Sequence, residues 1–502
     1  MILPALATIK AIQREFNSLN LQSDPNPGIA TSAGIIASQL EMLCAREQVG
    51  TAFVLSQLKK TQGSLHLFLA YSSNIPQLEN NISETAERLI AQIDTVLAAE
   101  KDFGALESEW QSIQKEFQQI VSYLIDCNHM PTSEFSRHVL KEMVSLEEAD
   151  PRRFAIEDGL VEEETGKETD RLNGNKIETY LKARLSDDTI RVNNFYALPG
   201  GFGKQTLMFE ASGRKLKGSF VVRRDMAVHL LQNDCHMVKK EFPVLKAISK
   251  RGFPAPDPIL LETGHDIFPS ADFIIMPKAE GQVGGDVFGS EGGISDRLNQ
   301  CLAETLAKLH TMPPLIELGD LTESIRPEQW TETLESNVRQ YISNWHTYSL
   351  SENPYPSPAI AGLFVWLLNN IPAIHAQPVL VHGDYGFHNF IIDQGVVSAV
   401  LDWEFTHIGD PAEDLGYIRN SIVNPTDWER FREIYIQNGG QKVDRKRIRF
   451  FQIWGHVRNA AISAIILSKH ASGMVRDIQL AELIQFLPRF IRSAYDLIET
   501  KP

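Results

Sequence analysis

The chain has 502 residues, 43% of them apolar, and a formal net charge of −16 from 64 acidic and 48 basic side chains. That length exceeds one small core and predicts two or three domains. The acidic balance argues against a nucleic-acid binder, which needs a basic footprint, and it neither requires nor forbids a cationic substrate. The four cysteines, Cys44, Cys127, Cys235 and Cys301, form no CxxC and read as free thiols in a reducing cytosol, so a cytoplasmic protein is expected. Met1 to Asn20 lacks a basic segment followed by an apolar core, so no signal peptide is expected. The run Ala460 to Leu467 is too short to span a bilayer.

Residues 1–145 read as a helical domain. Trp110, Ile113, Phe117, Ile120, Val121 and Leu124 recur at helical spacing, as do Leu89, Ile90, Ile93, Val96 and Leu97. A third stretch holds Ile35, Ile36, Leu40 and Leu43, after a loop at Pro25-Asn26-Pro27-Gly28. No catalytic cluster appears here, which leaves docking to a protein partner or homo-oligomerisation as the expected role. Residues 146–175 are crowded with Glu and Asp and read as a solvated linker.

Residues 176–280 begin with a short helix, Ile177 to Leu185, and then turn to strands. Phe195 to Leu198 enters a glycine turn, Pro199-Gly200-Gly201-Phe202-Gly203-Lys204, and Thr206 to Phe209 leaves it. Such a turn lets backbone N–H groups approach phosphates. A Walker A loop is excluded, because it needs Gly at Leu198 and Ser or Thr at Gln205, and a helix where strands follow. Further strands run from Ser219 to Arg224 and from Phe273 to Met276, with a helix from Cys235 to Ile248 between them.

Residues 281–502 read as mainly helical, with helices at Leu298–Met312, Trp330–Ile371 and onward to Ile498. Within them lies Val381-His382-Gly383-Asp384-Tyr385-Gly386-Phe387-His388-Asn389-Phe390, flanked by apolar runs that read as strands. Another apolar run, Val397 to Leu401, delivers Asp402-Trp403-Glu404. One loop and one strand end thus present Asp384, Asn389 and Asp402. Phosphoryl transfer needs such a set: a base to orient a hydroxyl, and an amide and a carboxylate to hold Mg²⁺ against phosphate oxygens. Asp410-Pro411-Ala412-Glu413 reads as a helix start, which gives Asp410 and Asp414 structural roles, and His310 reads as a core or capping residue.

The HGDxxxxN run, the LDWE that follows and Gly409-Asp410-Pro411-Ala412-Glu413-Asp414-Leu415 resemble the aminoglycoside phosphotransferase and choline kinase-like family. The nearest branch is the one associated with acyl-CoA dehydrogenases. The resemblance runs from about Asn175 to the C-terminus, two thirds of the chain. It implies an α+β, two-lobed protein-kinase-like fold, with a small antiparallel β lobe and a mainly helical large lobe, here preceded by an extra helical domain. It implies phosphorylation of a small-molecule hydroxyl from ATP (or GTP) with Mg²⁺. Asp384 is then the base, and Asn389 and Asp402 the metal ligands. Arg223, in the position where kinases usually carry Lys, steadies the phosphates and pairs with Glu241. The glycine turn from Gly200 to Lys204 covers the phosphates. Met276 and the hinge Lys278 and Ala279 meet the base, Pro277 having no N–H to give. The branch favours a hydroxyacyl or hydroxyacyl-CoA acceptor over an antibiotic. A nucleotide-sensing scaffold without catalysis is the alternative from another class. His388 stands where many relatives have Gly, and Phe202 to Lys204 replaces the usual polar loop.

Overall fold

The computed structural model describes residues 50–70, 80–99, 101, 103–126, 140–141, 143–144, 174–198, 204–225, 237–264, 267, 271–290, 293–313, 330–349, 356–373, 376–471 and 483–500. In chain order the first helices are α1 (50–70), α2 (Asn80–Ala98), α3 (Phe103–Asp126) and α4 (Gly174–Leu185). Strands β1 (Arg191–Leu198), β2 (Lys204–Ser212) and β3 (Lys217–Asp225) follow, then helix α5 (Val238–Lys250). Next come β4 (Leu260–Glu262), β5 (Phe273–Pro277), β6 (Gln282–Val283), β7 (Gly285–Asp286) and β8 (Gly289–Ser290). Helices α6 (Asp296–His310), α7 (Trp330–Ser349) and α8 (Pro358–Asn369) lead to β9 (Val379–Val381), β10 (Phe390–Asp393), β11 (Val396–Val400) and β12 (His407–Gly409). The chain closes with α9 (Ala412–Ser421), α10 (Pro425–Gln437), α11 (Arg445–Ala471) and α12 (Leu483–Glu499).

The α+β class is as expected, with an antiparallel sheet, a mainly helical remainder and helices ahead of both. The chain divides into two compact units. One gathers the described residues of Met1–Val161, Thr331–Pro372 and Ile453–Pro502; the other gathers those of Glu162–Trp330 and Ala373–Gln452. The division does not follow the sequence-based segments, because α7, α8 and the end of the chain pack with the N-terminal helices. The stretch around Ile35 to Leu43, the acidic run of residues 146–173, and Cys44, Cys127 and Cys235 lie outside the described residues. No helix among the described residues is long and apolar enough to cross a membrane.

In the first unit the amphipathic stripes go where their spacing sends them. Trp110, Ile113, Phe117, Ile120 and Val121 of α3 are buried, as are Leu89, Ile93 and Val96 of α2. Helix α8 is apolar on nearly every side and is buried accordingly. It packs on α3, and Phe364 meets Trp345 of α7 at 5.7 Å. A Cβ at Gly362 would lie 2.9 Å from Leu140, so glycine sets the approach there. The helical segment expected from Trp330 to Ile371 holds two helices, and Pro358 fits the first turn of the second. Gln118 joins their ends: its amide donates to Ser349 Oγ at 2.9 Å and accepts from Ser357 N–H at 2.8 Å. Trp454, His456 and Arg458 of α11 are buried in this unit.

In the second unit the five-stranded sheet has the order β1-β2-β3-β5-β4, antiparallel throughout. Alternate side chains take opposite faces. Leu207, Phe209, Phe220, Val222, Phe273 and Ile275 form a core on one face together with Ile177, Tyr180 and Leu181 of α4. The other face carries Lys204 and Thr206 of β2 and Arg223 and Asp225 of β3, with Lys204 opposite Asp225 and Thr206 opposite Arg223.

Gln118 is fully buried and bonded on both sides of its amide. Gln118→Leu keeps the volume and removes both partners, which leaves buried polar groups exposed to that loss. Urea unfolding should show the variant less stable by about 1–3 kcal/mol.

Candidate functional site

The site is built on a loop held from behind. Strand β12 pairs antiparallel with β9, His407 opposite Val381, and Thr406 Oγ1 donates to Val381 O at 2.7 Å. Between these strands the loop is fixed by Asp414 of α9, which is fully buried. Its carboxylate accepts the backbone N–H of His382 and of Gly383, each at 2.8 Å, and His310 Nε2 at 3.1 Å. With Nε2 donating, His310 Nδ1 faces the Tyr435 hydroxyl at 2.8 Å. Burial alone would push the Asp414 carboxyl up; His310 and the backbone donors hold it below its ordinary value. Gly383 has φ +81°, and a Cβ there would meet Phe405 Cβ and O at 2.8 Å, so only glycine fits.

The loop brings Asp384, Asn389 and Asp402 together. Asn389 Nδ2 donates to Asp384 O at 2.9 Å and to Asp384 Oδ2 at 2.8 Å. His388 Nε2 lies 3.0 Å from the same Oδ2. Both Asn389 amide hydrogens are committed, so the His388 nitrogen must carry a proton to face that oxygen. His382 donates through Nε2 to Leu401 O at 2.9 Å, and its Nδ1 accepts Asp384 N–H at 3.1 Å. Leu401 N–H in turn donates to Asn389 O at 2.8 Å. The residue before Asp402 is therefore tied to both ends of the loop. Asp402 itself is left-handed, φ 61° and ψ 71°, a conformation rare outside Gly, Asn and Asp. That turn aims Trp403 N–H at Glu241 Oε1, 3.3 Å away.

Two cations and three carboxylates meet above this loop. Arg223 places Nε 3.3 Å from Glu241 Oε2 and Nη2 2.5 Å from Asp402 Oδ1. Lys204 Nζ is 2.6 Å from Glu404 Oε2 and 3.5 Å from Glu241 Oε2. Glu241 is carried by α5, whose first N–H, from Val238, donates to Asp225 Oδ1 at 3.0 Å at the end of β3. Burial opposes every charge in this cluster. Around Glu241 the two cations overcome it and hold the carboxyl low. At Asp402 burial, helped by Glu404 and opposed by Arg223, keeps the carboxyl above its ordinary value.

Of the remaining expected site residues, Gly200, Gly201, Phe202 and Gly203 lie outside the described residues. Met276 ends the buried part of β5. Lys278 N–H is already given to Ser219 O at 2.9 Å, extending the β3–β5 ladder. Among the described residues no group of three or more His, Cys, Asp or Glu side chains forms a metal cage. Asn389 and Asp402 are hard oxygen donors, and the Asn389 amide nitrogen is turned to Asp384, which leaves its oxygen on the opposite side. This pair fits Mg²⁺, which takes one or two protein oxygens and completes its shell with water and phosphate. Sequence spacing did not reveal the Lys204–Glu404 pair or the anchoring by Asp414 and His382. The paired N–H acceptors of Asp414 leave no local pattern, and Lys204 depends on cross-strand register.

Beside the loop, His407 Nε2 is 3.3 Å from Glu413 Oε2, with 35% of the imidazole side chain exposed. Burial would lower its pKa, but Glu413 and the Phe405 carbonyl push it up to about 9. A raised histidine stabilises the fold fully below its unfolded value of 6.5, and that contribution is lost as pH rises through about 9. Glu413→Gln should flatten the fall in unfolding free energy between those two values, measured by urea titration at several pH values.

A family model described as APH, phosphotransferase enzyme family, matches residues 197–451. Acyl-CoA dehydrogenase family member 11 of Gallus gallus is 29% identical over 279 residues, 51% of this chain and 34% of that protein. The Homo sapiens protein of the same name is 27% identical over 257 residues, 49% of this chain and 31% of its own length. The chain thus spans about a third of the length of these curated relatives. Among solved structures, macrolide 2′-phosphotransferase MphH from Brachybacterium faecium is 17% identical, with a TM-score of 0.41 over 62% of this chain and 97% of that one. Spectinomycin phosphotransferase, solved with ADP and spectinomycin, is 14% identical, with a TM-score of 0.47 over 66% and 99% of the two chains.

Proposed function

Because the chain belongs to the APH phosphotransferase enzyme family, we propose that it moves the γ-phosphoryl group of a nucleoside triphosphate to a hydroxyl of a small molecule. The observation that carries this reading is the joining of Asp384, Asn389 and Asp402 through His382 and Leu401. Asp384 orients the acceptor hydroxyl and takes its proton as the oxygen attacks phosphorus. The bond from the γ-phosphorus to the bridging oxygen breaks, and the nucleoside diphosphate leaves. Asn389 and Asp402 would hold Mg²⁺, which supplies charge neutralisation at the phosphates when bound. Arg223, braced by Glu241, steadies phosphate oxygens. The role proposed for the glycine turn, Gly200 to Gly203, is to offer backbone N–H groups to these oxygens.

At the hinge, Lys278 N–H is spent on Ser219. The proposed base contacts are therefore the Ala279 N–H and the Pro277 carbonyl, beside Met276. An acceptor carbonyl and a donor amide suit the amino group and ring nitrogen of adenine and mismatch the reversed pattern of guanine, which favours ATP over GTP. The acyl-CoA dehydrogenase names of the relatives favour a hydroxyacyl or hydroxyacyl-CoA acceptor. An antibiotic acceptor is the second class that a substrate screen covers.

Two variants test the reading. Asp384→Asn should retain ATP affinity while kcat falls about 10²–10⁴-fold on the best acceptor found. Asp402→Asn keeps a residue suited to the left-handed backbone, and calorimetric ATP titration should show loss of the Mg²⁺ enhancement seen in the unmodified chain. Equal ATP binding with Mg²⁺ and with chelator, together with no transfer to any alcohol, would replace the enzyme reading with a nucleotide-binding scaffold.

A further inference from the structure

Lys204 follows the glycine turn in sequence, yet its ammonium does not face open solvent: only 2% of the side chain is exposed. It shares a sheet face with Arg223, one diagonal step away. Arg223 already engages Glu241 and Asp402, so the sheet face carries one more cation than the expected pairing uses. The shorter contact of Lys204 is with Glu404, at 2.6 Å. Burial alone would lower the lysine, but Glu404 and Glu241 outweigh it and hold it above its ordinary value, so the charge is kept.

Glu404 lies two residues after Asp402, on the tight turn Trp403–Phe405. Released from Lys204, its carboxylate would be a further hard oxygen donor two residues from Asp402, and extra carboxylates are what raise the pull of such a site on a divalent ion.

We propose that Lys204 is a positioning residue that reserves Glu404, keeping this carboxylate out of the metal shell that Asn389 and Asp402 supply. Lys204 thereby sets how many divalent ions the nucleotide complex accepts. The inference rests on the phosphotransferase reading above.

The test is Mn²⁺ binding to the full chain with saturating ADP, followed by electron paramagnetic resonance of the free ion. Lys204→Met should bind one more Mn²⁺ per chain than the unmodified protein, and Lys204→Met/Glu404→Gln should return to the unmodified number. Glu404→Gln alone, a milder change, should alter Mn²⁺ affinity little. An unchanged Mn²⁺ count in folded Lys204→Met overturns the inference while leaving the phosphotransferase reading intact. A loss of about tenfold or more in Glu404→Gln also overturns it, since Glu404 would already be a ligand or its direct support. If the unmodified chain binds no Mn²⁺ with ADP, the metal reading itself fails and the inference with it.

Discussion

A buried carboxylate with three donors is what the rest of the site depends on. Asp414 has no exposed surface, and an ionised group in that position is costly unless hydrogen bonds replace its water. His382 N–H, Gly383 N–H and His310 supply them. The two backbone bonds fix the peptide just before Asp384, and Gly383 supplies the one backbone conformation that lets the chain turn against Phe405. His382 then passes that order forward, one ring nitrogen to Asp384 and the other to Leu401. The positions proposed for chemistry are thus held by groups outside the proposed site residues.

The electrostatics above the loop follow a different logic. Glu241 is shared by Arg223 and Lys204, while Asp402 and Glu404 each take one cation. Three carboxylates face two cations, so the cluster carries a deficit of positive charge. Burial, helped by Glu404 and opposed by Arg223, holds the Asp402 carboxyl above its ordinary value. On the proposed function, a divalent ion arriving with a nucleotide would bring positive charge to the place where it is short.

Much of this was legible in the sequence. Asp384, Asn389 and Asp402 could be grouped because a short loop and an adjacent strand leave few ways to arrange them. The stripe Trp110, Ile113, Phe117 declared a buried helix face, and the short apolar runs around the glycine turn read as strands, whose arrangement as an antiparallel lobe came from the family resemblance. Asp410 stands just ahead of α9, whose N-cap is Pro411 rather than Asp410 as the spacing suggests; it accepts Ala412 N–H at 2.8 Å and also pairs with Arg447. Other features depend on neighbours distant in sequence. The role of Lys204 needs the β2–β3 register and the placement of α5. The role of Asp414 needs the loop to pass in front of α9. The grouping of α7 and α8 with the N-terminal helices needs Gln118 to reach Ser349 and Ser357, more than two hundred residues away.

The interleaving of the units has a consequence for how the chain is made. The first unit is assembled from three segments, and the second unit is inserted between them. During translation α1 to α3 emerge long before α7 and α8, and α12 emerges later still. At about 5–20 residues per second, the earliest apolar faces wait many seconds for their partners. The second unit shares this order, since its sheet is complete well before the strands that carry Asp384 and Asp402 leave the ribosome. Neither unit can reach its final core until distant stretches of the chain have been made, from Ile453 onward for the first and up to Gln452 for the second.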